Sequence, residues 1–311
     1  MRAFIFPGQG SQAVGMGTEL AGASNVARAV FEEVDDALGQ KLSRIMAEGP
    51  AEDLTLTENA QPAIMANAIA VLRVLEGEGG IRLADKADFV AGHSLGEYSA
   101  LCGAQAFDLA TTARLLKVRG QAMQAAVPVG QGAMAALLGV DFDTARAICA
   151  DAAQGEVCEA ANDNGGGQVV ISGHAPAVER AMAIAKERGV KRAVLLPVSA
   201  PFHCALMQPA ADAMAEALAK AAVRAPLVPV YANVTAAPVA EPDEIRNLLI
   251  AQVTGTVRWR ESVEAMWAAG VTDFVELGAK VLAPMVKRIA PDATVTSVVA
   301  MADIEALAAS I

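Results

Sequence analysis

Residues 92–96 read Gly-His-Ser-Leu-Gly, after an apolar run (Phe89, Val90, Ala91) and before a helix-like stretch from Glu97 to Ala106. Strand, sharp turn and helix in that order give the G-x-S-x-G pattern its chemical meaning. Its two glycines let the backbone bend tightly enough to lift Ser94 out of the sheet edge, and the helix N-terminus behind it favours developing negative charge. The pattern occurs once in the chain. Small residues cluster in many ordinary turns, so the flanks carry the reading of Ser94 as a nucleophile rather than a turn serine.

A serine nucleophile needs a base, and the chain has three histidines. His93 is the x of the elbow, where packing is the default role. His174 lies in a Ser-Gly-His-Ala-Pro turn before a helix and reads as a solvated loop residue. His203 sits in the proline-bent segment Ser199-Ala-Pro-Phe-His203, where two parts of the chain meet and a cleft is expected. Elimination makes His203 the general base, with a hydrogen-bonded structural histidine as the plainer alternative. No Asp or Glu stands in a fitting loop to hold its tautomer, so a carbonyl, from backbone or amide, is the expected orienting group. Nothing activates the neighbouring Cys204.

Arg119 is the most informative charge. In the helical segment 111–126 the apolar stripe comprises Leu115, Leu116, Ala122, Met123 and Ala126. Helical spacing sets Arg119 in the middle of that stripe, with Arg114, Lys117 and Gln121 opposite. A guanidinium facing inward must be paired, since an isolated buried charge is far too costly. Its own helix offers no acid on neighbouring turns. Either a distant carboxylate pairs with it, or a ligand's carboxylate does, held bidentately by the planar fork. The residues alone leave both open. Gln252 shares a helix face with Ile245, Leu248, Leu249 and Val253, so a polar amide points inward; satisfaction by backbone is the default for such a group. The glycine-rich turn 7–12 follows the first apolar run and can bring a backbone N–H to a reacting carbonyl. It lacks the third glycine and the ribose acid of a dinucleotide site, which is rejected.

The surrounding chain must position these groups. Its 311 residues are 54% hydrophobic and 19% charged, enough for a substantial core. Lys plus Arg number 24 against 35 acids, a net charge of −11, which argues against nucleic-acid binding. No secretory signal is read at the start, and the longest uncharged stretch, 120–140, carries Pro128 and four glycines and makes a poor membrane span. Cys102, Cys149, Cys158 and Cys204 match no zinc or redox spacing and read as small buried hydrophobes in a reducing cytoplasm.

Helical patterns at about 16–38, 59–76 and 108–126 alternate with apolar runs at 3–6 and 89–91, the signature of a parallel α/β sheet. Residues 128–198 predict β-α-β-β-α-β, the ferredoxin-like order, with strands at 133–140, 157–161, 168–172 and 192–198. The expected organisation is therefore a large α/β unit (1–127 and 199–311) with an inserted ferredoxin-like subdomain (128–198). Further strands near 228–231, 273–277 and 294–299 return to the large unit.

Together these segments closely resemble the malonyl-CoA:acyl carrier protein transacylase family. The resemblance rests on Phe-Pro-Gly-Gln-Gly-Ser-Gln (6–12), Glu-Asn-Ala-Gln-Pro-Ala (58–63), Gly-His-Ser-Leu-Gly-Glu-Tyr (92–98) and Lys-Val-Arg-Gly (117–120). It continues through Ala-Asn-Asp-Asn (161–164), Gln-Val-Val-Ile-Ser-Gly (168–173), Ser-Ala-Pro-Phe-His (199–203), Tyr-Ala-Asn-Val-Thr-Ala (231–236) and Gln-Val-Thr (252–254). Gly165-Gly166 departs from the family's frequent Ser-Pro, in a hairpin turn away from the chemistry. The resemblance implies an α/β-hydrolase-like large domain in which Ser94 is acylated and His203 is its base, held by the main-chain carbonyl of Gln252. It further implies an oxyanion hole from the N–H groups of Gln9 and Leu95, and Arg119 gripping the malonyl carboxylate. Gln61, Asn162 and His93 would lie at the substrate cleft. The implied partners are malonyl-CoA and a transient, acidic acyl carrier protein, with no metal or other cofactor and a monomeric chain. Lys191, Arg192, Lys287 and Arg288 are the candidate carrier-docking residues at the cleft rim.

Three rivals remain at this stage. A serine thioesterase or esterase would hydrolyse malonyl-CoA without carrier and tolerate uncharged acyl groups. The acyltransferase subunit of malonate decarboxylase or an excised polyketide synthase domain is the rival within the family, against which the Met1 start favours a discrete enzyme. A catalytically dead carrier-binding scaffold would leave Ser94 unlabelled.

Overall fold

The computed structural model describes residues 1–311 and contains two sheets. The first has six strands in the order β10-β9-β1-β2-β7-β8, formed by β1 (Arg2–Phe6), β2 (Phe89–Gly92), β7 (Val230–Ala232), β8 (Ala237–Val239), β9 (Asp273–Leu277) and β10 (Thr294–Val298). All neighbours are parallel except the β7–β8 hairpin. The second sheet is wholly antiparallel, in the order β4-β5-β3-β6, from β3 (Gly132–Leu138), β4 (Cys158–Asp163), β5 (Gln168–His174) and β6 (Arg192–Leu195).

The continuous apolar character of β1 has a direct cause. A parallel strand covered by helices on both faces has no polar side. Alternate residues therefore feed different cores: Phe4 and Phe6 join one cluster with helices Thr57–Gly77 and Leu109–Ala126, while Ala3 and Ile5 join another with Trp259, Val263 and Val286. The antiparallel sheet buries Leu137, Val169 and Ile171 against its own two helices, Phe142–Ala153 and Ala175–Glu187. Its opposite face sends Met134, Ala136 and Val170 into the large core. The two sheets are thus packed units that share part of one apolar core.

The predicted helix 16–38 is two helices, Thr18–Ala23 and Asn25–Leu38. Ser24 separates them in an extended conformation, and its hydroxyl accepts the Ala27 N–H at 3.1 Å as an N-cap. The predicted strand 192–198 stops at Leu195, two residues before Pro197. The edge strand β8 was not anticipated: Pro238 argues against a central strand, but an edge tolerates it.

Candidate active site

The loop after β2 turns at Ser94, whose φ of 53° lies in the left-handed region. The helix Gly96–Gly103 starts immediately behind it. A Cβ on Gly92 would sit 1.9 Å from the Gly96 backbone, and one on Gly96 would sit 2.3 Å from the Phe6 carbonyl oxygen. Only hydrogen fits at either position, so the two glycines are required by close backbone approach rather than by flexibility. Asn233, just past β7, holds the turn. Its Oδ1 accepts the Ser94 N–H at 2.8 Å, and its Nδ2 donates to the Gly92 carbonyl at 2.7 Å. Sequence reasoning gave Asn233 no role, although the residue stands inside a quoted motif.

His203 reaches this turn from the segment that leaves the antiparallel sheet, with a left-handed φ of 57°. Its Nε2 lies 2.7 Å from Ser94 Oγ. Its Nδ1 lies 2.9 Å from the Gln252 carbonyl and 3.1 Å from the Gly255 carbonyl. Carbonyls only accept, so Nδ1 carries the hydrogen and Nε2 presents its lone pair to the serine. The Gln252 carbonyl belongs to the last turn of helix Pro242–Thr254, where the C=O groups have no partner within the helix and the dipole is negative, and the Gly255 carbonyl follows from the extended residue that caps it. The helix terminus thus does the work of the missing acid. Burial, and then the charge of Arg119, push the imidazole down to about 3, against the two carbonyls.

Arg119 is buried, with 1% of its surface exposed. Its Nη1 donates to Gln61 Oε1 at 2.8 Å, and Nη2 donates to Gln252 Oε1 at 2.8 Å and to Ser94 Oγ at 3.2 Å. The Tyr98 ring lies 5.7 Å from its guanidinium carbon. Arg119 makes no ion pair with any carboxylate of the chain. Of the two partners open from sequence, the internal acid is therefore absent. Gly120 makes this geometry accessible: a Cβ there would lie 2.5 Å from Glu58 Cα, so helix Leu109–Ala126 closes onto Thr57–Gly77 and brings Gln61 against Arg119.

The Gln252 side chain is held by side chains as much as by backbone, contrary to expectation. Its Nε2 donates to Glu97 Oε2 at 2.8 Å, to the Ser94 carbonyl at 3.0 Å and to Asn233 Oδ1 at 3.3 Å. With acceptors on that side, its oxygen must face Arg119. Glu97 also accepts the Asn233 N–H at 3.0 Å, and burial raises its carboxyl to about 7. Glu97 lacked a sequence signal beyond its place after the elbow.

These groups line a cleft of about 330 Å³ between the sheets. Gln9, Gln61, His93, Ser94, Arg119, Asn162 and His203 contribute its polar wall, and Met123, Met134, Leu196, Val198 and Phe202 its apolar wall. The Gln9 and Leu95 N–H groups have no acceptor within the chain. Gly8 allows their approach, because a Cβ there would lie 2.7 Å from the His93 carbonyl. His93 is more than packing: its ring lies 5.8 Å from Trp259 and its Nε2 is 2.8 Å from Asn164 Oδ1. His174 is not a solvated loop residue; it ends β5 half-buried, and its Nδ1 accepts the Val157 N–H at 2.9 Å.

None of Lys191, Arg192, Lys287 and Arg288 lines the cleft. Arg192 pairs with Leu138, four residues along β3 from Met134 and so about 13 Å from it. Lys191 packs beside Gly139, and Arg288 beside Gly166 with its Nη2 donating to Gln168 Oε1 at 3.2 Å. Lys191, Arg192 and Arg288 thus lie at the end of the antiparallel sheet that carries Gly139 and Gly166, outside the cleft lining.

Comparison with known proteins gives a consistent picture. A family model described as "Acyl transferase domain" matches residues 3–301. The chain is similar to malonyl CoA-acyl carrier protein transacylase of Escherichia coli (strain K12), 47% identical over 296 residues, covering 95% of this chain and 94% of the relative. The protein of that name from Bacillus subtilis (strain 168) is 46% identical over 289 residues, covering 92% and 90%. Among solved structures, acyl-carrier-protein-S-malonyltransferase from Bartonella henselae superposes with a TM-score of 0.97 at 55% identity, covering 99% and 98%. A type II polyketide synthase acyl-carrier protein in complex with its malonyl-transacylase matches with a TM-score of 0.96 at 40% identity, covering 100% and 99%.

Proposed function

This chain belongs to the acyl transferase domain family, and on that premise we propose how its site works: it transfers the malonyl group of malonyl-CoA to the phosphopantetheine thiol of acyl carrier protein, supplying extender units for fatty acid biosynthesis. The observation that carries this reading is Arg119, a buried guanidinium without a carboxylate partner, 3.2 Å from the Ser94 oxygen. A malonyl carboxylate meets that requirement, and its thioester carbonyl then falls beside the nucleophile.

In the first half-reaction the Ser94 hydroxyl proton passes to His203 Nε2 as Oγ bonds to the thioester carbonyl carbon. The N–H groups of Gln9 and Leu95 receive the oxyanion, and each such donor contributes about 3 kcal/mol. The C–S bond then opens, and His203 returns its proton to the coenzyme A sulfur. The second half-reaction is the mirror image: the carrier thiol gives its proton to His203, its sulfur attacks the malonyl-serine ester, and Ser94 recovers its proton. Gln252 orients His203 through its carbonyl, and Gln61, Asn162 and His93 shape the substrate cleft. Transfer between two thiols is redox-neutral and completes with these groups, so we assign no metal or cofactor.

We further read residues 1–127 and 199–311 as an α/β-hydrolase-like catalytic domain. Residues 128–198 form the inserted ferredoxin-like subdomain, a reading supported by the antiparallel order β4-β5-β3-β6. No helix is long and apolar enough to cross a membrane. A monomeric, cytoplasmic enzyme completes the proposal, with Lys191, Arg192, Lys287 and Arg288 docking the acidic carrier. Mass spectrometry after brief exposure to malonyl-CoA tests the core of it. A malonyl adduct is expected on the wild-type chain and none on Ser94→Ala. An adduct that persists without the serine, or rapid hydrolysis without carrier, defeats the assignment.

A further inference from the structure

Arg119 and His203 address one atom. Nη2 lies 3.2 Å and Nε2 2.7 Å from Ser94 Oγ, on two buried side chains. Guanidinium and imidazole are therefore no more than about 6 Å apart, close enough for charge on one to bear on the other. The groups facing the imidazole are Arg119 from helix Leu109–Ala126, His93 from the elbow, and the carbonyls of Gln252 and Gly255. The nearby carboxylate of Glu97 is held off by the Gln252 amide, which stands between it and Arg119.

Acylation turns this arrangement into a conflict. As the Ser94 proton moves to Nε2 and the Oγ–C bond forms, an imidazolium appears facing a guanidinium. Two like charges about 6 Å apart, at an effective dielectric near 20, disfavour the protonated base by about a hundredfold. Once Oγ is bonded to carbon it no longer carries the negative charge that Arg119 would favour. In the resting site, the Nη2–H···Oγ hydrogen bond also takes up one of the two lone pairs of the hydroxyl oxygen and draws electron density from the other.

We propose that the acyl group's own carboxylate completes the catalytic centre: paired with Arg119, it draws the guanidinium away from Ser94 Oγ and offsets the charge facing His203. Discrimination against an acyl group without a carboxylate then falls on the rate of acylation, not on binding alone. The inference rests on the malonyl-transfer reading above. The depression of His203, caused by burial and next by Arg119, is in keeping with it. An aliphatic acyl thioester would enter the cleft and find a base held weak.

The test uses the wild-type chain with acetyl-CoA at saturation, with and without sodium formate, against sodium chloride at equal ionic strength. Acetyl and formate are the two pieces of a malonyl group with the C–C bond cut. Formation of acyl-Ser94 is followed by rapid quench and mass spectrometry. Formate is expected to accelerate acetylation at least tenfold, saturably, and chloride not at all. In Arg119→Ala, and in Arg119→Gln as a second variant with matching circular dichroism, formate is expected to have no effect. No acceleration in the wild type overturns the inference, as does equal acceleration in the variants. If malonyl-CoA itself fails to acylate wild-type Ser94, the functional reading falls instead; normal malonylation without a formate effect overturns this inference alone.

Discussion

Arg119 and Gln252 meet through Nη2 and Oε1 at 2.8 Å, while the backbone carbonyl of the same glutamine holds His203 Nδ1 at 2.9 Å. One residue at the end of helix Pro242–Thr254 therefore serves both the group that recognises the substrate and the base. Its amide polarity is set by Glu97, Asn233 and the Ser94 carbonyl, so the oxygen end has only Arg119 to face. Recognition and chemistry are built on a common support, and disturbing either has consequences that can be measured.

Substituting Gln61→Glu places a carboxylate where Arg119 Nη1 now meets a neutral amide at 2.8 Å. The internal anion pairs with the guanidinium in nearly the same volume and competes with the malonyl carboxylate. Hydrogen bonds to charged groups are worth about 1.5–3 kcal/mol, so KM for malonyl-CoA is expected to rise about tenfold to a hundredfold. Steady-state kinetics at saturating carrier would show this. An unchanged KM would mean that Arg119 is not the carboxylate site.

The pH profile of kcat/KM follows from His203. Burial and Arg119 hold its imidazole at about 3 in the free enzyme, so the base is already deprotonated at pH 5. Since kcat/KM reports the free enzyme, its acid side is expected to show no ionisation near 6.5, the ordinary histidine value. Initial rates of malonyl transfer between pH 5 and 8, with malonyl-CoA well below KM, provide the check. A single limb centred near 6.5 that persists in Glu97→Gln would show a solvated histidine.

Glu97 gives the opposite sign in stability. Burial raises its carboxyl to about 7, so its contribution is fully present below the unfolded value of 4.5 and is lost as pH rises through 7. The isosteric Glu97→Gln removes that dependence and leaves the histidines unchanged. Between pH 4.5 and 8, wild type is expected to lose about 3 kcal/mol of unfolding free energy relative to the variant. Urea unfolding at the two pH values measures the difference; a wild type that gains on the variant instead would mean that Glu97 is stabilised as an anion.

How much of this was legible before folding depended on the range of the cause. Ser94 was readable because its elbow is local, with two glycines and flanks within ten residues. The inward face of Arg119 was readable from helical period alone. Its partners were not: Gln61 lies on another helix, and its approach depends on Gly120 touching the Glu58 backbone. Asn233 and Glu97 stayed silent because their work is done by hydrogen bonds to residues far away in the chain, with no spacing that repeats. The distance of the basic residues from the cleft lining was not legible, because charge says nothing of which end of a strand it occupies. In the opposite direction, the lack of a suitably placed acid already pointed to a carbonyl as the partner of His203, and the Gln252 and Gly255 carbonyls lie at its Nδ1.

The crowding at the elbow yields a prediction on folding. A methyl group on Gly92 would need to displace the Gly96 backbone, only 1.9 Å from the Cβ position, and no flexible side chain is there to yield. Overpacking of ordinary cores costs about 1–3 kcal/mol, and a backbone clash at a turn exceeds that. Gly92→Ala is expected to lower the urea midpoint strongly and to abolish malonyl-Ser94 formation. By contrast, a Cβ at Gly22 would meet no atom within 4 Å, so Gly22→Ala serves as the matched control and should leave both measurements near wild type. Equal behaviour of the two variants would remove the steric account of the elbow.

Carrier docking provides the last prediction. Lys191, Arg192, Lys287 and Arg288 are all exposed and none lines the cleft; Lys191 and Arg192 lie by the turn at Gly139 and Arg288 by Gly166, while Lys287 donates to the Pro291 carbonyl. A carrier that delivers its thiol on a long flexible arm can dock at such a distance, and its acidic surface would be met there despite the net charge of −11. Reversal of Lys191 and Arg192 to Glu, or of Lys287 and Arg288 to Glu, should raise KM for carrier protein about three- to tenfold, as expected for exposed pairs worth up to about 1 kcal/mol each. KM for malonyl-CoA should stay unchanged, because none of the four touches the site where that substrate reacts. Added salt should weaken carrier binding to wild type more than to the reversed variants, since screening acts on the attraction that the variants have already lost. Equal effects on both substrates would place the docking surface elsewhere and mark this cluster as an ordinary solvated patch.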